Sequence, residues 1–234
     1  MIDVIAFETL GRMDIDWLSA RFHFSFADYH DPARMGFGPL RVWNDDTIRP
    51  QGGFPMHPHR DMEIITYVRT GAITHADSLG NEGRTVAGDV QVMSAGTGII
   101  HSEFNLEDVD TTLFQIWVTP REARLAPRWD QRQFPQESGQ AALVALASGR
   151  KKDLDAGALL IHQDATLFGA TLTKGQEIAH QLEPGRGIYL VAARGSLDIN
   201  GTALGHRDGA TLTSEPELRI TATDDAEVVA LDLP

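Results

Sequence analysis

The sequence predicts an all-β protein made of two related β-barrels. Short apolar runs alternate with Gly, Asn and Asp turns along most of the 234 residues. Their spacing of about 8–12 residues suits a barrel or sandwich. Few segments hold a 3.6-residue period. The order strand, glycine, hairpin turn, Gly/Asp turn also recurs. Residues 65–73 run through Gly71 toward Val86-Ala87-Gly88-Asp89-Val90, and residues 188–197 run through Gly195 toward Arg207-Asp208-Gly209-Ala210. Two copies of one unit explain such an echo.

The elements follow in order. Asp14-Ile15-Asp16-Trp17-Leu18 is expected to open one short helical turn. Residues 21–30 alternate as a strand, with Phe22, Phe24 and Phe26 on the core face and His23 pointing outward or across to the other barrel. Strands are expected at 63–69, 85–93 and 112–119. Residues 119–130, with Pro120 and Pro127, form a crossover, and Pro135 with Ser138-Gly139 fits a boundary. The break is placed near residue 137, giving an N-terminal unit with linker over 1–137 and a C-terminal unit over 138–234. Residues 140–148 fit a strand or a helix, while 187–193 and 228–233 are strands.

Composition narrows the function. Apolar residues make up 42% and charged residues 23%, ordinary for a globular protein with a real core. With no cysteine, disulfides, thiolate zinc sites, iron–sulfur clusters and a thiol nucleophile are excluded. The start lacks the basic and apolar regions of a signal peptide. Apolar stretches such as 141–147 are far below a membrane span. A cytoplasmic protein is expected. The 33 acidic and 20 basic residues give a formal charge of −13, a field that repels nucleic-acid phosphates and anionic lipid. Neither nucleic acid nor a membrane is an expected partner. Arg150-Lys151-Lys152 is expected to be a solvated loop.

The chemistry concentrates in two short motifs, His57-Pro58-His59 and His101-Ser102-Glu103. On a strand, residues two apart share a face. Two neighbouring strands carrying these pairs would aim three imidazoles and a carboxylate at one point, a set that fits a divalent first-row metal. Each motif follows a glycine-containing loop, Gly52-Gly53 and Gly96-Thr97-Gly98, whose small residues would leave room before the metal. Glu63 is a rival fourth ligand, since positions 57, 59, 61 and 63 share a face on an unbroken strand. Parity alone does not choose between Glu63 and Glu103. A metal-bound histidine needs an acceptor for its other ring N–H. Asp61, Glu63, Asn44 and Asp45 are candidates for that acceptor. His75, His162, His180 and His206 stand alone and are expected to be surface or structural. No phosphate-binding loop, serine-nucleophile elbow or dinucleotide fingerprint is present.

The run Gly52-Gly53-Phe54-Pro55-Met56-His57-Pro58-His59-Arg60-Asp61-Met62-Glu63, continuing through Gly71, His75-Ala76-Asp77-Ser78-Leu79-Gly80-Asn81 and residues 88–105, resembles the signature of the pirin family within the cupin superfamily. Within that family it is similar to the bacterial pirin-like quercetin 2,3-dioxygenases. The likeness is strong over residues 35–130. It implies a bicupin, two antiparallel β-barrels face to face, with one metal in the N-terminal barrel and none in a degenerate C-terminal one. Carried over by position, the family's ligands fall on His57, His59, His101 and Glu103. The resemblance, not the spacing, thus selects Glu103 over Glu63. It implies one divalent transition metal ion, iron first, with nickel, copper, cobalt, manganese or zinc as alternatives.

The implied activity is cleavage of a flavonol ring with O2 and release of CO. Glu103 would take or orient the 3-hydroxyl proton, and Phe37, Phe54 and Met56 would lie beside the rings. Eukaryotic pirins are described as iron-dependent transcription coregulators. The implied alternative is therefore a metal-dependent regulatory protein with a protein partner. A monomer is expected. Aligning Gly71 with Gly195 puts His180 near the position of His57, followed by Leu182, and no His-x-Glu motif comes after it.

Overall fold

The structure, a computed structural model, describes residues 1–134 and 142–234. The expected break at 137 and its signals Pro135, Ser138 and Gly139 lie outside the described residues. The strands of the first half are β1 (Ile2–Ile5), β2 (Gly11–Ile15), β3 (Leu18–Phe22), β4 (Leu40–Ile48), β5 (Gly53–His59), β6 (Glu63–Thr70), β7 (Ala72–Asp77), β8 (Glu82–Val86), β9 (Val90–Ser94), β10 (Ile99–Phe104), β11 (Thr111–Val118) and β12 (Arg128–Arg132). The second half holds β13 (Val144–Ser148), a five-residue helix α1 (Lys151–Asp155), β14 (Leu159–Leu160), β15 (Thr166–Leu172), β16 (Glu177–Gln181), β17 (Gly187–Arg194), β18 (Leu197–Ile199), β19 (Thr202–Leu204), β20 (Gly209–Thr213), β21 (Glu217–Ala222) and β22 (Ala226–Leu233).

These strands form two compact units. One comprises Gly11–Phe134 with Leu159–Gln163, the other Met1–Leu10, Pro135–Ala158 and Asp164–Pro234. Each unit therefore takes in a short segment from beyond the expected break. β1 is one of these, pairing with β20 from Ile2↔Leu212 to Ile5↔Gly209. Each unit is two antiparallel sheets rather than one closed cylinder. In the N-terminal unit the orders are β12-β9-β6-β11-β4-β3-β2 and β5-β10-β7-β8. In the C-terminal unit they are β1-β20-β17-β22-β15-β13 and β16-β21-β18-β19. Strands β4 to β11 and β15 to β22 thus run through the same positions in the same order. The repeat is all-β and twofold, a bicupin.

The glycine signal behind the internal echo has a steric origin. Gly71 (φ 72°) and Gly195 (φ 67°) make the tight turns after β6 and β17. A Cβ on Gly71 would meet Thr111 Oγ1 at 2.5 Å, and one on Gly195 would strike the Asp225 carbonyl. Only glycine serves both the conformation and the close approach.

Several local expectations are corrected. Residues 14–18 form a β-hairpin, not a helical turn. Asp14 Oδ1 accepts from Ser19 Oγ at 2.6 Å and Arg21 at 2.9 Å across β2 and β3, and these cross-strand bonds outweigh a weak local preference. The strand at 21–30 stops at Phe22. Phe22, His23 and Phe24 are all buried, so His23 does not point outward; its ring centroid lies 6.3 Å from that of Trp43. The run 85–93 divides at Gly88 (φ 86°), sending β8 and β9 into different sheets. The segment 140–148 is a strand from Val144 onward. Arg150-Lys151-Lys152 leads into α1; both lysines are exposed, but Arg150 pairs with Asp164 at 2.9 Å.

Candidate metal centre

The N-terminal unit carries an unusual polar layer between its sheets. β5 and β10 pair with His57 directly opposite His101 and Ile99 opposite His59. A bulge between His101 and Glu103 resets the register so that Glu103 faces Phe54. On its other side β10 pairs with β7, His101 opposite Asp77 and Glu103 opposite His75. Residues 57, 59, 101, 103, 75 and 77 therefore share one face of three adjacent strands, as a period of two requires.

The three predicted histidines converge. Ring centroids are 4.4 Å apart for His57 and His101, 4.8 Å for His57 and His59, and 5.0 Å for His59 and His101. One ligand nitrogen from each lies within 4.8 Å of the others. His57 Nδ1–H donates to the Pro55 carbonyl at 2.7 Å, leaving Nε2 with its lone pair. His101 Nε2 is buried and has no hydrogen-bond partner among the described residues. An orphaned ring nitrogen beside two more imidazoles is costly unless something binds it. These donors fit a first-row metal ion.

Charge also favours metal over protons. Burial, then the neighbouring His57, His59 and His75, pushes the His101 imidazole down to about 2. Burial and then His57 bring His59 to about 4. Both rings stay neutral at physiological pH, the form that coordinates metal.

Glu103 is buried below this cluster and hydrogen-bonded through both oxygens. Its Oε1 accepts from Gln91 Nε2 at 2.6 Å and Thr66 Oγ1 at 3.2 Å, and its Oε2 accepts from Gln115 Nε2 at 2.8 Å. Burial raises its pKa, against His75, Thr66, Gln115 and His57, which lower it. The supporting groups form a row across the large sheet. Asn44 lies opposite Gln115, Gln115 opposite Thr66, and Thr66 opposite Gln91. Within reach of one ion, Glu103 groups with His75 and His101, a triad sharing His101 with the first cluster.

Glu63 lies elsewhere. The chain breaks after β5 at Asp61 (φ 47°), so Glu63 opens β6 instead of continuing the His57 face. Its Oε2 accepts from Ser94 Oγ at 2.7 Å. Burial raises its pKa, opposed by Ser94, the His162 backbone and Arg128. It joins neither cluster. Two more of the outer-partner candidates are committed away from the histidines: Asp61 accepts from the Arg124 backbone N–H at 2.7 Å, and Asp45 pairs with Arg69.

The group missed from sequence is His75 with Asp77. His75 is fully buried, stacked on Trp129 at 4.8 Å and 8°. It lies with Nε2 at 3.0 Å from Asp77 Oδ2 and Nδ1 at 3.4 Å from His101 Nδ1. His75-Ala76-Asp77 has the same i, i+2 spacing as the two chosen motifs, so the signal was present.

Space near the cluster differs from the expectation. Gly53 and Gly96 are close backbone approaches, against the Glu103 carbonyl and Leu125, and Gly52 packs on Trp17. Of these four glycines, Gly98 alone borders open space, a pocket of about 460 Å³ that also touches His59, Arg60 and Ile100. A second pocket of about 360 Å³ is lined by Phe26, Tyr29, Met35, Met62 and Trp117, with Trp117 edge-on to His59 at 4.9 Å. The expected contacts Phe37, Phe54 and Met56 line neither. Phe54 packs on Trp17 at 5.0 Å, and Met56 is 58% exposed.

The C-terminal unit acts as an internal control. On β16 and β21, His180 faces Leu218 where His57 faces His101. Leu182, Leu218, Ile220 and Ile199 stand where His59, His101, Glu103 and His75 stand. Leu190, Ala230 and Ala210 replace Thr66, Gln115 and Gln91. All seven belong to one buried apolar cluster. Each buried Leu or Ile contributes about 1.5–3 kcal/mol, so this copy uses the layer for stability. His180 instead lies 3.5 Å from Asp232, which accepts from Arg186 at 2.5 Å.

Two family models match this chain, one in each half. A family model described as Pirin matches residues 5–118, and one described as Quercetinase C-terminal cupin domain matches 145–233. A pirin-like protein of Caulobacter vibrioides is 54% identical over 232 residues, covering 99% of each chain. A quercetin 2,3-dioxygenase of Escherichia coli is 40% identical over 225 residues, covering 96% of this chain and 95% of that one. The fold matches the crystal structure of the bacterial pirin YhhW from Escherichia coli in complex with nickel(II), at a TM-score of 0.93 and 40% identity, over 100% of this chain and 99% of that one. Among the described residues, no helix is long and apolar enough to cross a membrane.

Proposed function

This chain belongs to the pirin family of the cupin superfamily, and on that premise we propose that it is a metal-dependent dioxygenase that cleaves flavonols such as quercetin. The observation that carries the reading is the convergence of His57, His59 and His101 on a point where, among the described residues, His101 Nε2 has no other partner. A relative that is 40% identical bears the name quercetin 2,3-dioxygenase. His57, His59, His101 and Glu103 would hold one divalent transition metal ion. When bound, that ion supplies Lewis-acid activation of the flavonol 3-oxygen and electron exchange with dioxygen.

The protein's part is to bind, orient and move a proton. Neutral His59 and His101 offer lone pairs without first losing protons. Gln91, Gln115 and Thr66 hold Glu103 in one orientation. Its raised pKa suits it to accept the 3-hydroxyl proton. Phe26, Tyr29, Met35 and Trp117 offer apolar and aromatic surface to flat rings.

The test is oxygen uptake with quercetin after each candidate metal, iron and nickel included, is restored to chelator-treated protein. Oxygen-dependent loss of the flavonol with CO release is expected, abolished by His57→Ala or His101→Ala. A flavonol analogue lacking the 3-hydroxyl should resist cleavage. No oxygen uptake with any metal would overturn the enzyme reading. It would favour a metal-dependent regulatory protein whose −13 charge docks on a basic partner.

A further inference from the structure

His75 does not belong to the three-histidine cluster, yet everything around it fixes its ring. Asp77 Oδ2 anchors Nε2 at 3.0 Å, and Trp129 stacks on its face. Asp77 is itself pinned, because Oδ1 accepts the backbone N–H groups of Leu79 at 2.9 Å and Asn81 at 3.1 Å. Asn81 Nδ2 donates to Oδ2 at 2.9 Å. The β7–β10 register puts Asp77 opposite His101 and His75 opposite Glu103.

We infer that His75, anchored by Asp77, is a positioning residue that sets the tautomer of His101 and so turns its Nε2 lone pair toward His57 and His59. A neutral His75 has one ring proton. Placed on Nε2, it is donated to the Asp77 carboxylate. Placed on Nδ1, it would leave a lone pair facing that carboxylate. The first arrangement is strongly preferred, and it leaves a lone pair on His75 Nδ1, 3.4 Å from His101 Nδ1. His101 then carries its proton on Nδ1 and its lone pair on the buried, unpartnered Nε2. The opposite tautomer would set two lone pairs against each other and bury an unpaired N–H. A second line of support comes from the other unit. Where the counterpart of His101 is Leu218, the counterpart of His75 is Ile199, so both were replaced together.

The metal-affinity arm of the test rests on the proposed metal centre; the tautomer arm does not. Long-range ¹⁵N–¹H NMR on metal-free, histidine-labelled protein reads the tautomer directly. The expected result is a protonated Nδ1 and a bare Nε2 on His101. His75→Phe keeps an aromatic ring against Trp129 but removes the acceptor. It should shift His101 toward the Nε2–H form and weaken nickel(II) binding about 10–100-fold in a competition assay. His75→Asn, whose side-chain oxygen restores an acceptor near the lost Nδ1, should recover most of that affinity. An Nε2–H on His101 in the unmodified protein would overturn the inference whether or not the variants fold. So would a folded His75→Phe protein with unchanged tautomer and nickel(II) affinity. If the unmodified protein has the expected tautomer but binds no nickel(II), iron or other candidate ion, the metal centre fails and the positioning of His101 stands.

Discussion

Lowering the pH from 7 to 5 should destabilise the metal-free protein through His59 and His101. In the folded state these rings are held at about 4 and about 2, whereas an unfolded histidine titrates near ~6.5. Below that value the unfolded chain takes up protons that the folded chain refuses. Stability is therefore complete above pH ~6.5 and falls with pH, the loss levelling off near pH 4 for His59 and near pH 2 for His101. Between pH 7 and 5 the loss is about 2 kcal/mol for each ring, about 4 kcal/mol together. Buried Glu103, Asp46 and Glu63 act in the opposite sense. Their pKa values are raised, so acid relieves the cost of burying them ionised. The clean quantity is a difference between two proteins. His101→Leu copies the Leu218 of the other unit and should lose about 2 kcal/mol less than the unmodified protein over this range. Urea unfolding of chelator-treated samples at pH 7, 6 and 5 measures it. Equal pH slopes for the two proteins, or a native His101 that titrates near ~6.5 by NMR, would refute the reasoning.

Four further variants have expected outcomes. Glu103→Ala should weaken nickel(II) binding beyond the about 10–100-fold typical of losing an outer partner. Glu63→Ala should leave affinity intact and cost about 1–3 kcal/mol in unfolding, because Ser94 Oγ loses its acceptor; similar metal-binding losses for both would contradict the assignment. Gly71→Ala should destabilise by more than about 1 kcal/mol, seen as a lower urea midpoint, because φ is 72° and Thr111 fills the Cβ position; an unchanged midpoint would count against the steric account of the repeat. Arg186→Leu should cost about 3–5 kcal/mol by leaving the Asp232 carboxylate buried without its closest cation; a neutral effect on unfolding would mean that the network carries no stability.

Much of the fold was legible because β structure writes itself locally. The near-continuous apolar run 64–68 is buried throughout β6, and the Gly71 and Gly195 turns mark the same step of the repeat. The His57/His59 and His101 convergence followed from a period of two. What parity could not supply was continuity. Glu63 left the face because the chain turns at Asp61, a break that no apolar pattern marks. His75 and Asp77 share the i, i+2 spacing of the ligand motifs, but that spacing does not tell which strand pairs with β10, a tertiary choice. The row Asn44, Gln115, Thr66 and Gln91 assembles from four strands; Asn44 stands out in the sequence only as a candidate acceptor for a ring N–H, and Gln115, Thr66 and Gln91 read as ordinary polar positions. The hairpin at 14–18 is hidden in the local pattern because its stabilising bonds run to Ser19 and Arg21, not along a helix.

The central claim, one metal ion held by His57, His59, His101 and Glu103, is tested most directly by anomalous diffraction at the nickel edge on nickel(II)-reconstituted crystals. A single peak in the N-terminal unit, bonded to a ring nitrogen of each of the three histidines and to a Glu103 oxygen, is predicted. A peak held by His75, His101 and Glu103 without His57 and His59, or a peak at His180 in the C-terminal unit, would contradict the account.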